Sequence, residues 1–259
     1  ARAVAGVVPH LRPRMDPSWT GPADFEVTSG GGVWHAEGEE NTVRAPTLHG
    51  CLVAMESVVA HALLARDTTS VHLHGAGVVV EGKAVLALGH SEAGKSSVAL
   101  AWSRMGLPLL SDEFLLLGSD GRVRGLPRLI KVDRERLLEH GLDPATATPS
   151  TASDSEVLYD PGPGAYWTGA AVPVGAVFLP EYGPDAPVGE SEPVPAPTVS
   201  ALRSLLDHSR DTGVDPETRL DTLLRLAEST PVYPLPHASS ARAARTMISM
   251  TVHRESTSE

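Results

Sequence analysis

The residues from Gly89 to Ser97 have types and spacing that suit phosphate binding. They read Gly-His-Ser-Glu-Ala-Gly-Lys-Ser-Ser and match the pattern G-x-x-x-x-G-K-[ST]. In that pattern backbone N–H groups surround a polyphosphate, the lysine (here Lys95) reaches the outer phosphates, and the next hydroxyl (here Ser96) ligates Mg²⁺. The predicted nucleotide-binding residues are Gly89, His90, Ser91, Glu92, Ala93, Gly94, Lys95, Ser96 and Ser97.

The chain on either side of this loop has the pattern that a phosphate-binding loop requires. Residues 84–88 form an apolar run that predicts a buried strand, and apolar residues between 97 and 105 recur at helical spacing. A chance match in a glycine-rich turn is the alternative, and the agreement of strand, loop and helix argues against it. Glu92 departs from the expected chemistry, because its carboxylate would repel a phosphate unless it points away.

Two carboxylates follow the next apolar run of the chain. Residues 107–110 predict a strand, and Ser111, Asp112 and Glu113 end it. These carboxylates lie one helix beyond the predicted phosphate-binding loop. A nucleotide site needs a Mg²⁺ ligand or a general base at that position. Ser-Asp is also ordinary turn chemistry, so a turn or helix cap is the alternative. We predict a functional pair, because its position follows from the loop.

A short basic strip lies between residues 122 and 131 of this acidic chain. Its cations are Arg122, Arg124, Arg128 and Lys131. Beside a nucleotide site, such cations stabilise charge on phosphate groups, and Arg128 or Lys131 is the candidate for that role. The alternative is the solvated face of an edge strand.

Composition excludes several classes of partner. The chain has 21 Lys and Arg against 32 Asp and Glu, a net charge of −11, which disfavours a nucleic-acid substrate. No apolar run approaches the roughly 18 residues of a membrane span, and no signal-peptide pattern opens the sequence. The single cysteine, Cys51, lies in an apolar stretch and cannot form an intrachain disulfide. We expect a cytoplasmic protein without a membrane partner.

The remaining segments predict the elements that position these residues. Residues 1–45 indicate one or two short strands, and residues 46–66 indicate a helix with an apolar face. Glu81-Gly82-Lys83 predicts a hairpin turn, which would give the strand before the loop an antiparallel neighbour. Residues 143–170 indicate a mobile loop or lid or, equally, a plain surface excursion. Further helices are expected over 133–140, 198–208, 216–229 and 239–250, and further strands over 174–179 and 231–235.

Several stretches together resemble the catalytic domain of HPr kinase/phosphorylase and of the HPr-kinase-related kinases. They are Leu73-His74-Gly75, the hairpin, the loop, and the run from Gly106 to Glu113, in similar order and spacing over residues 70–118. Weaker similarity continues through residues 126–130, 177–182 and 231–235. The resemblance implies an α/β fold with a P-loop nucleotide-binding core of the type shared with phosphoenolpyruvate carboxykinase, a mixed sheet and flanking helices.

The resemblance also implies an ATP-dependent kinase that phosphorylates a hydroxyl, with ATP and Mg²⁺ as cofactors. Asp112 matches the carboxylate that takes the acceptor's proton, and His74 matches the histidine beside it. Glu113 stands where the family has a second carboxylate. The metal ligands so implied are Ser96, Asp112 and Glu113, and the catalytic residues are Asp112, His74, Lys95 and Arg128.

The chain looks most like the shorter related kinases, some of which phosphorylate a serine of a precursor peptide in peptide natural-product pathways. We therefore expect a peptide or small-protein acceptor, and we expect the kinase activity alone, because Glu92 and Ser97 depart from the bifunctional pattern. The alternatives are a kinase of a small hydroxylated metabolite and a catalytically weak module that binds nucleotide and peptide. The oligomeric state stays open, with a homo-oligomer as one option because the bifunctional relatives form hexamers.

This interpretation divides the chain into three parts. Residues 1–66 form N-terminal strands and a helix packed on the core, residues 67–254 form a P-loop kinase-like domain, and residues 255–259 form a disordered tail.

Overall fold

The computed structural model describes residues 25–30, 32–38, 42–45, 47–150, 155–162, 164–186, 193–210 and 213–253. The predictions for residues 1–24 and for the tail 255–259 lie outside these ranges. The described N-terminal part is an antiparallel sheet in the order β1-β2-β3, formed by Phe25–Gly30, Val33–Gly38 and Thr42–Ala45.

Helix α1 (Leu48–Arg66) follows this sheet, as the apolar periodicity predicted. The Thr47 side chain caps its start by accepting a hydrogen bond from the amide three residues on, at 3.0 Å. Cys51 in the first half of the helix is fully buried against β3, and Leu64 in the second half packs with Phe114 of the main domain. The helix therefore joins the small sheet to the rest of the protein.

Ten further strands follow in the described residues. They are β4 (Val71–Val80), β5 (Lys83–Leu88), β6 (Leu109–Ser111), β7 (Phe114–Leu117), β8 (Arg122–Leu126), β9 (Ile130–Asp133), β10 (Thr148–Pro149), β11 (Glu156–Tyr159), β12 (Val172–Tyr182) and β13 (Val232–His237). Six of them form the main sheet in the order β13-β12-β5-β4-β7-β8, and β6 also pairs with β4. The start of β12 pairs with β8 as well, which curls the sheet back on itself.

The main sheet is mixed because of one hairpin. Strands β12 and β13 run parallel to β5, whereas β4 runs antiparallel to it. The turn between β4 and β5 has positive φ at Glu81 and Gly82, as a tight hairpin turn of the I′ type requires. The predicted hairpin and the predicted antiparallel neighbour of β5 are therefore confirmed.

Helices cover both faces of this sheet. They are α2 (Lys95–Arg104), α3 (Arg134–Glu139), α4 (Thr198–Asp207), α5 (Pro216–Ser229) and α6 (Ser240–His253). On one face α2 and α6 pack around the fully buried Trp102, whose indole donates to the carbonyl of Ala244 at 3.3 Å. On the other face α4 and α5 bury Leu205 and Leu223. The chain is an α/β protein with a mixed sheet and flanking helices, and none of its described helices has the length and apolar character to cross a membrane.

The segment 143–170 differs from the predicted loop. Residues 144–146 form a 3₁₀ turn, and β10 and β11 extend a small antiparallel sheet in the order β10-β11-β9. Val157 of β11 lies opposite Val132 of β9 and is fully buried. The prediction missed these strands because they are only two and four residues long within Thr, Ser and Pro-rich sequence.

Candidate functional site

The strand registers bring the predicted site residues to one edge of the main sheet. Gly75 of β4 lies opposite Leu88, the last residue of β5, and Ser111 of β6 lies opposite Gly77. His74 and Asp112, the neighbours of Gly75 and Ser111 in the chain, therefore fall beside the loop that follows β5. A Cβ on Gly75 would lie 2.4 Å from the Leu88 side chain, so this close approach of the two strands requires glycine.

The loop 89–94 joins β5 to α2 where the sequence predicted it. Gly94 precedes the helix with a φ of +90°, a left-handed conformation that favours glycine, and a Cβ there would lie 3.0 Å from Nε2 of His237. Glu92 also has a positive φ, +67°, and is exposed. The acidic residue of the loop is therefore in contact with solvent rather than buried beneath the backbone.

Lys95 begins α2 and is folded against the loop. It is 9% exposed, and its Nζ donates to the carbonyl oxygen of His90 at 2.6 Å. Burial lowers the pKa of Lys95, and the carboxylates of Asp112 and Glu113 act in the opposite direction. The lysine and the two carboxylates thus influence one another's charge, as their order in the sequence led us to expect.

Asp112 is a buried carboxyl group at the end of β6. It is 8% exposed, and the backbone N–H of Lys131 donates to its Oδ2 at 3.3 Å. Its buried Oδ1 has no hydrogen-bond partner within the part of the chain that the structure describes. Burial raises the pKa of Asp112 to about 7, against opposing effects of the Ser96 hydroxyl and the Lys131 amide. A carboxyl group that titrates near neutrality is suited to accept a proton during a reaction.

The unpartnered Oδ1 of Asp112 also fits a cation ligand. Ser96 lines the same cleft, and its hydroxyl acts on the Asp112 carboxyl. Among the described residues, no three or more His, Cys, Asp or Glu side chains cluster as a metal site. A Mg²⁺ ion with Ser96 and Asp112 as protein ligands would take its other ligands from phosphate and water, as Mg²⁺ commonly does.

Glu113 and Arg128 lie at the site, and ion pairs hold both. Arg128 donates from Nη1 to Oε2 of Glu113, and Arg210 donates from Nη2 to Oε1 of Glu113 at 3.4 Å. On its other side Arg128 pairs with the Glu56 carboxylate of α1 through Nε at 3.0 Å and Nη2 at 2.9 Å. The second carboxylate of the predicted metal set is thus shared between two guanidinium groups.

His74 lies beside Arg210, with its Nδ1 3.2 Å from Nη2 of the arginine. Burial lowers the pKa of His74, and the nearby cations Lys95 and Arg210 lower it further, so the neutral ring is favoured. The guanidinium groups of Arg210 and Arg128 lie 5.1 and 5.2 Å from the ring centre of Phe114. This buried ring supports both cations by cation–π contact.

Lys131 contributes to the site mainly through its backbone. Its ammonium pairs with Glu156 at 2.9 Å and is half exposed, whereas its amide is the group that contacts Asp112.

Sequence reasoning missed Glu56 and Arg210. Glu56 lies 72 positions from Arg128, and Arg210 lies 97 positions from Glu113, so no motif of fixed spacing contains them. One signal was present, because Glu56 is the only acidic residue of the largely apolar helix α1. A lone carboxylate on such a helix predicts a buried partner of opposite charge.

One cleft of about 920 Å³ has a volume within the usual range of small-molecule sites, and its lining includes Glu56, His74, Lys95, Ser96, Asp112, Glu113, Arg128 and Lys131. One end of the cleft is lined by α1, and the other by Arg136, Tyr182 and Ser240. A smaller pocket of about 250 Å³ lies against the first half of the loop and is lined in part by His74, His90, His208 and Arg210. The rings of His90 and His208 meet edge to face at 4.6 Å. Burial, His90 and Lys95 lower the pKa of His208 to about 4.

Comparison with known proteins gives no family at this point: no family model matches the chain, and no curated protein matches it with significant similarity.

Proposed function

We propose that this protein is an ATP-dependent kinase that transfers the γ-phosphoryl group to a hydroxyl, a serine of a peptide or small protein, on a P-loop core of the HPr kinase and phosphoenolpyruvate carboxykinase type. The observation that carries the proposal is the pairing of the loop with Asp112. A buried carboxyl group, one of whose oxygens has no hydrogen-bond partner among the described residues, lies beside the lysine and serine of a loop that has the phosphate-binding sequence pattern.

In the proposed reaction the loop amides and Lys95 hold the triphosphate, and a Mg²⁺ ion held by Ser96 and Asp112 supplies charge neutralisation when bound. The acceptor oxygen forms a bond to the γ-phosphorus as the bond to the ADP oxygen breaks. The acceptor's proton passes to Asp112, the buried carboxylate beside the lysine and serine of the loop, which acts as the general base. Positioning and electrostatics account for most of the acceleration, because this reaction needs little covalent chemistry from the protein.

The arginines have separate parts in this proposal. Arg128 is 14% exposed and is engaged by Glu56 and Glu113, so it acts by fixing Glu113. Arg210 is 40% exposed, which leaves it the more accessible cation for charge on the transferred group. Neutral His74 sits beside Arg210 and orients it. Because ATP is the phosphoryl donor, we propose a cytoplasmic location.

The test is mass spectrometry of acceptors incubated with the protein, ATP and Mg²⁺. The panel contains free serine, small hydroxylated metabolites and serine-containing peptides encoded near the gene, and Lys95→Ala is the control. Addition of one phosphate to a peptide by the wild type alone supports the proposal. Addition only to a metabolite would change the acceptor class, and no transfer to any acceptor would contradict the kinase.

A nucleotide-binding module without turnover is the second candidate. The observation that favours it is the engagement of Glu113 by two arginines, which withdraws one carboxylate from the predicted metal set. Binding of Mg·ATP without transfer to any acceptor would support this alternative.

A further inference from the structure

The end of the cleft away from α1 is formed by the strand next to the loop strand. β12 runs parallel to β5, so its carboxyl end reaches the same edge of the sheet as the loop. Tyr182 is the last residue of β12, and its Cβ is 3.8 Å from the position that a Cβ on Gly94 would take. An aromatic ring therefore stands directly beside the start of α2.

A guanidinium group lies on this ring. The Cζ of Arg136 is 4.8 Å from the ring centre of Tyr182. Arg136 comes from α3, and its Nη1 donates a hydrogen bond to Oε1 of Glu139 at 2.8 Å. The Arg136 side chain is 31% exposed and lines the cleft together with Tyr182. The rings of His237 and Tyr182 meet edge to face, with 5.7 Å between their centres.

The positions of the loop and the carboxylates determine which way a bound nucleotide would lie in the cleft. If the phosphates lie at Lys95 and Ser96, the side of the cleft with His74, Asp112 and Glu113 holds the transferred group and the acceptor. The remainder of the nucleotide then extends the other way, past Gly94 and Ser97, towards Tyr182 and Arg136. The lining of the cleft also includes the apolar side chains of Val132 and Leu158.

We propose that Arg136 and Tyr182 form the platform on which the purine base of the nucleotide stacks. This inference rests on the proposed function, since it concerns the nucleotide of that reaction. The base lies on the outer face of the planar Arg136 guanidinium, which Tyr182 supports from behind. Stacking of this kind recognises an aromatic base through its π face, so it adds affinity for purine nucleotides that a bare polyphosphate does not gain.

The experiment compares Mg·ADP with Mg·pyrophosphate by isothermal titration calorimetry. The two probes share a diphosphate, and only ADP has a base. The variants are Arg136→Ala, Tyr182→Leu and Tyr182→Phe, the last of which keeps the ring. Arg225→Ala is the matched control, because Arg225 also pairs with a carboxylate on its own helix and lies away from the cleft.

Wild type is expected to bind Mg·ADP more tightly than Mg·pyrophosphate. Arg136→Ala and Tyr182→Leu should each weaken Mg·ADP about ten-fold and leave Mg·pyrophosphate unchanged. Tyr182→Phe, which keeps the ring, should weaken Mg·ADP less than Tyr182→Leu does, and Arg225→Ala should bind both probes as wild type does. Equal binding of Mg·ADP by wild type and Tyr182→Leu overturns the platform and leaves the kinase proposal standing. Loss of both probes in Arg136→Ala and Tyr182→Leu overturns it as well, because the residues would then be structural. If wild type binds neither probe, both the platform and the proposed function fail.

Discussion

Asp112 is a carboxyl group in surroundings that oppose its charge. Its burial raises the pKa from an ordinary 3.8 to about 7, so the folded protein holds a proton that the unfolded chain loses. The contribution of this proton to stability is complete below about pH 4 and is lost as the pH rises through about 7. A loss of stability on ionisation is typical of a buried side chain that is retained for its chemistry rather than for stability.

Asp112→Asn should therefore stabilise the fold while it removes the proposed base. At about pH 8 we expect a gain of about 1 kcal/mol or more, which corresponds to about 2–4 °C in Tm, and the gain should shrink at about pH 5. Thermal unfolding at both pH values is the measurement. A variant less stable than wild type at the higher pH would show that the charged carboxylate supports the fold.

Glu92 combines an unfavourable backbone conformation with a negative charge in the loop. Its φ of +67° places a side chain in the left-handed region, which costs about 1–2 kcal/mol for a residue other than glycine. Glu92→Gly should raise the free energy of unfolding by about 1 kcal/mol and strengthen Mg·ADP binding, because a negative charge near the phosphates is removed.

Glu92→Gln separates the two effects. This variant removes the charge and keeps the backbone conformation, so it should strengthen binding without a change in Tm. Equal nucleotide affinity in all three proteins would show that the exposed carboxylate does not affect the phosphates.

Helix α1 connects the small N-terminal sheet to the site through a row of three ion-paired side chains. Glu56 on the helix holds Arg128, and Arg128 holds Glu113 beside Asp112. Glu56 is 9% exposed and Arg128 is 14% exposed, so the pair is shielded from solvent. The position of the second carboxylate therefore depends on how α1 packs.

Glu56→Gln should lower both stability and activity. Loss of one partner from a buried pair costs about 3 kcal/mol, and Glu113 loses its fixed position, so transfer should also fall. Arg124→Ala is the control, because Arg124 is 58% exposed in its pair with Asp67 and its loss should cost less than about 1 kcal/mol. Chemical denaturation and the transfer assay measure the two effects. Full activity in Glu56→Gln would contradict the dependence of Glu113 on α1.

Over the whole molecule, the elements that the sequence predicted correctly are those determined by residues close together in the chain. The hairpin at Glu81-Gly82, the strand–loop–helix unit around Gly94 and the helix over Leu48–Arg66 follow from turn chemistry and periodicity. The pairing of β12 with β8 and the partners Glu56 and Arg210 depend on contacts between distant segments. No spacing rule encodes those contacts, so the sequence indicated the centre of the site but not its surrounding ion pairs.

The proposed kinase reaction can be followed directly by ³¹P NMR of Mg·ATP with the acceptor panel, in the presence of wild type or Asp112→Asn. For wild type we expect the signals of ADP and a new phosphomonoester in equal amounts. For Asp112→Asn we expect a rate about 10²–10⁴ lower with nucleotide still bound, because the base is lost. Phosphomonoester formed by Asp112→Asn at the wild-type rate would show that Asp112 is not the base, and no phosphomonoester from wild type with any acceptor would show that the protein is not this kinase.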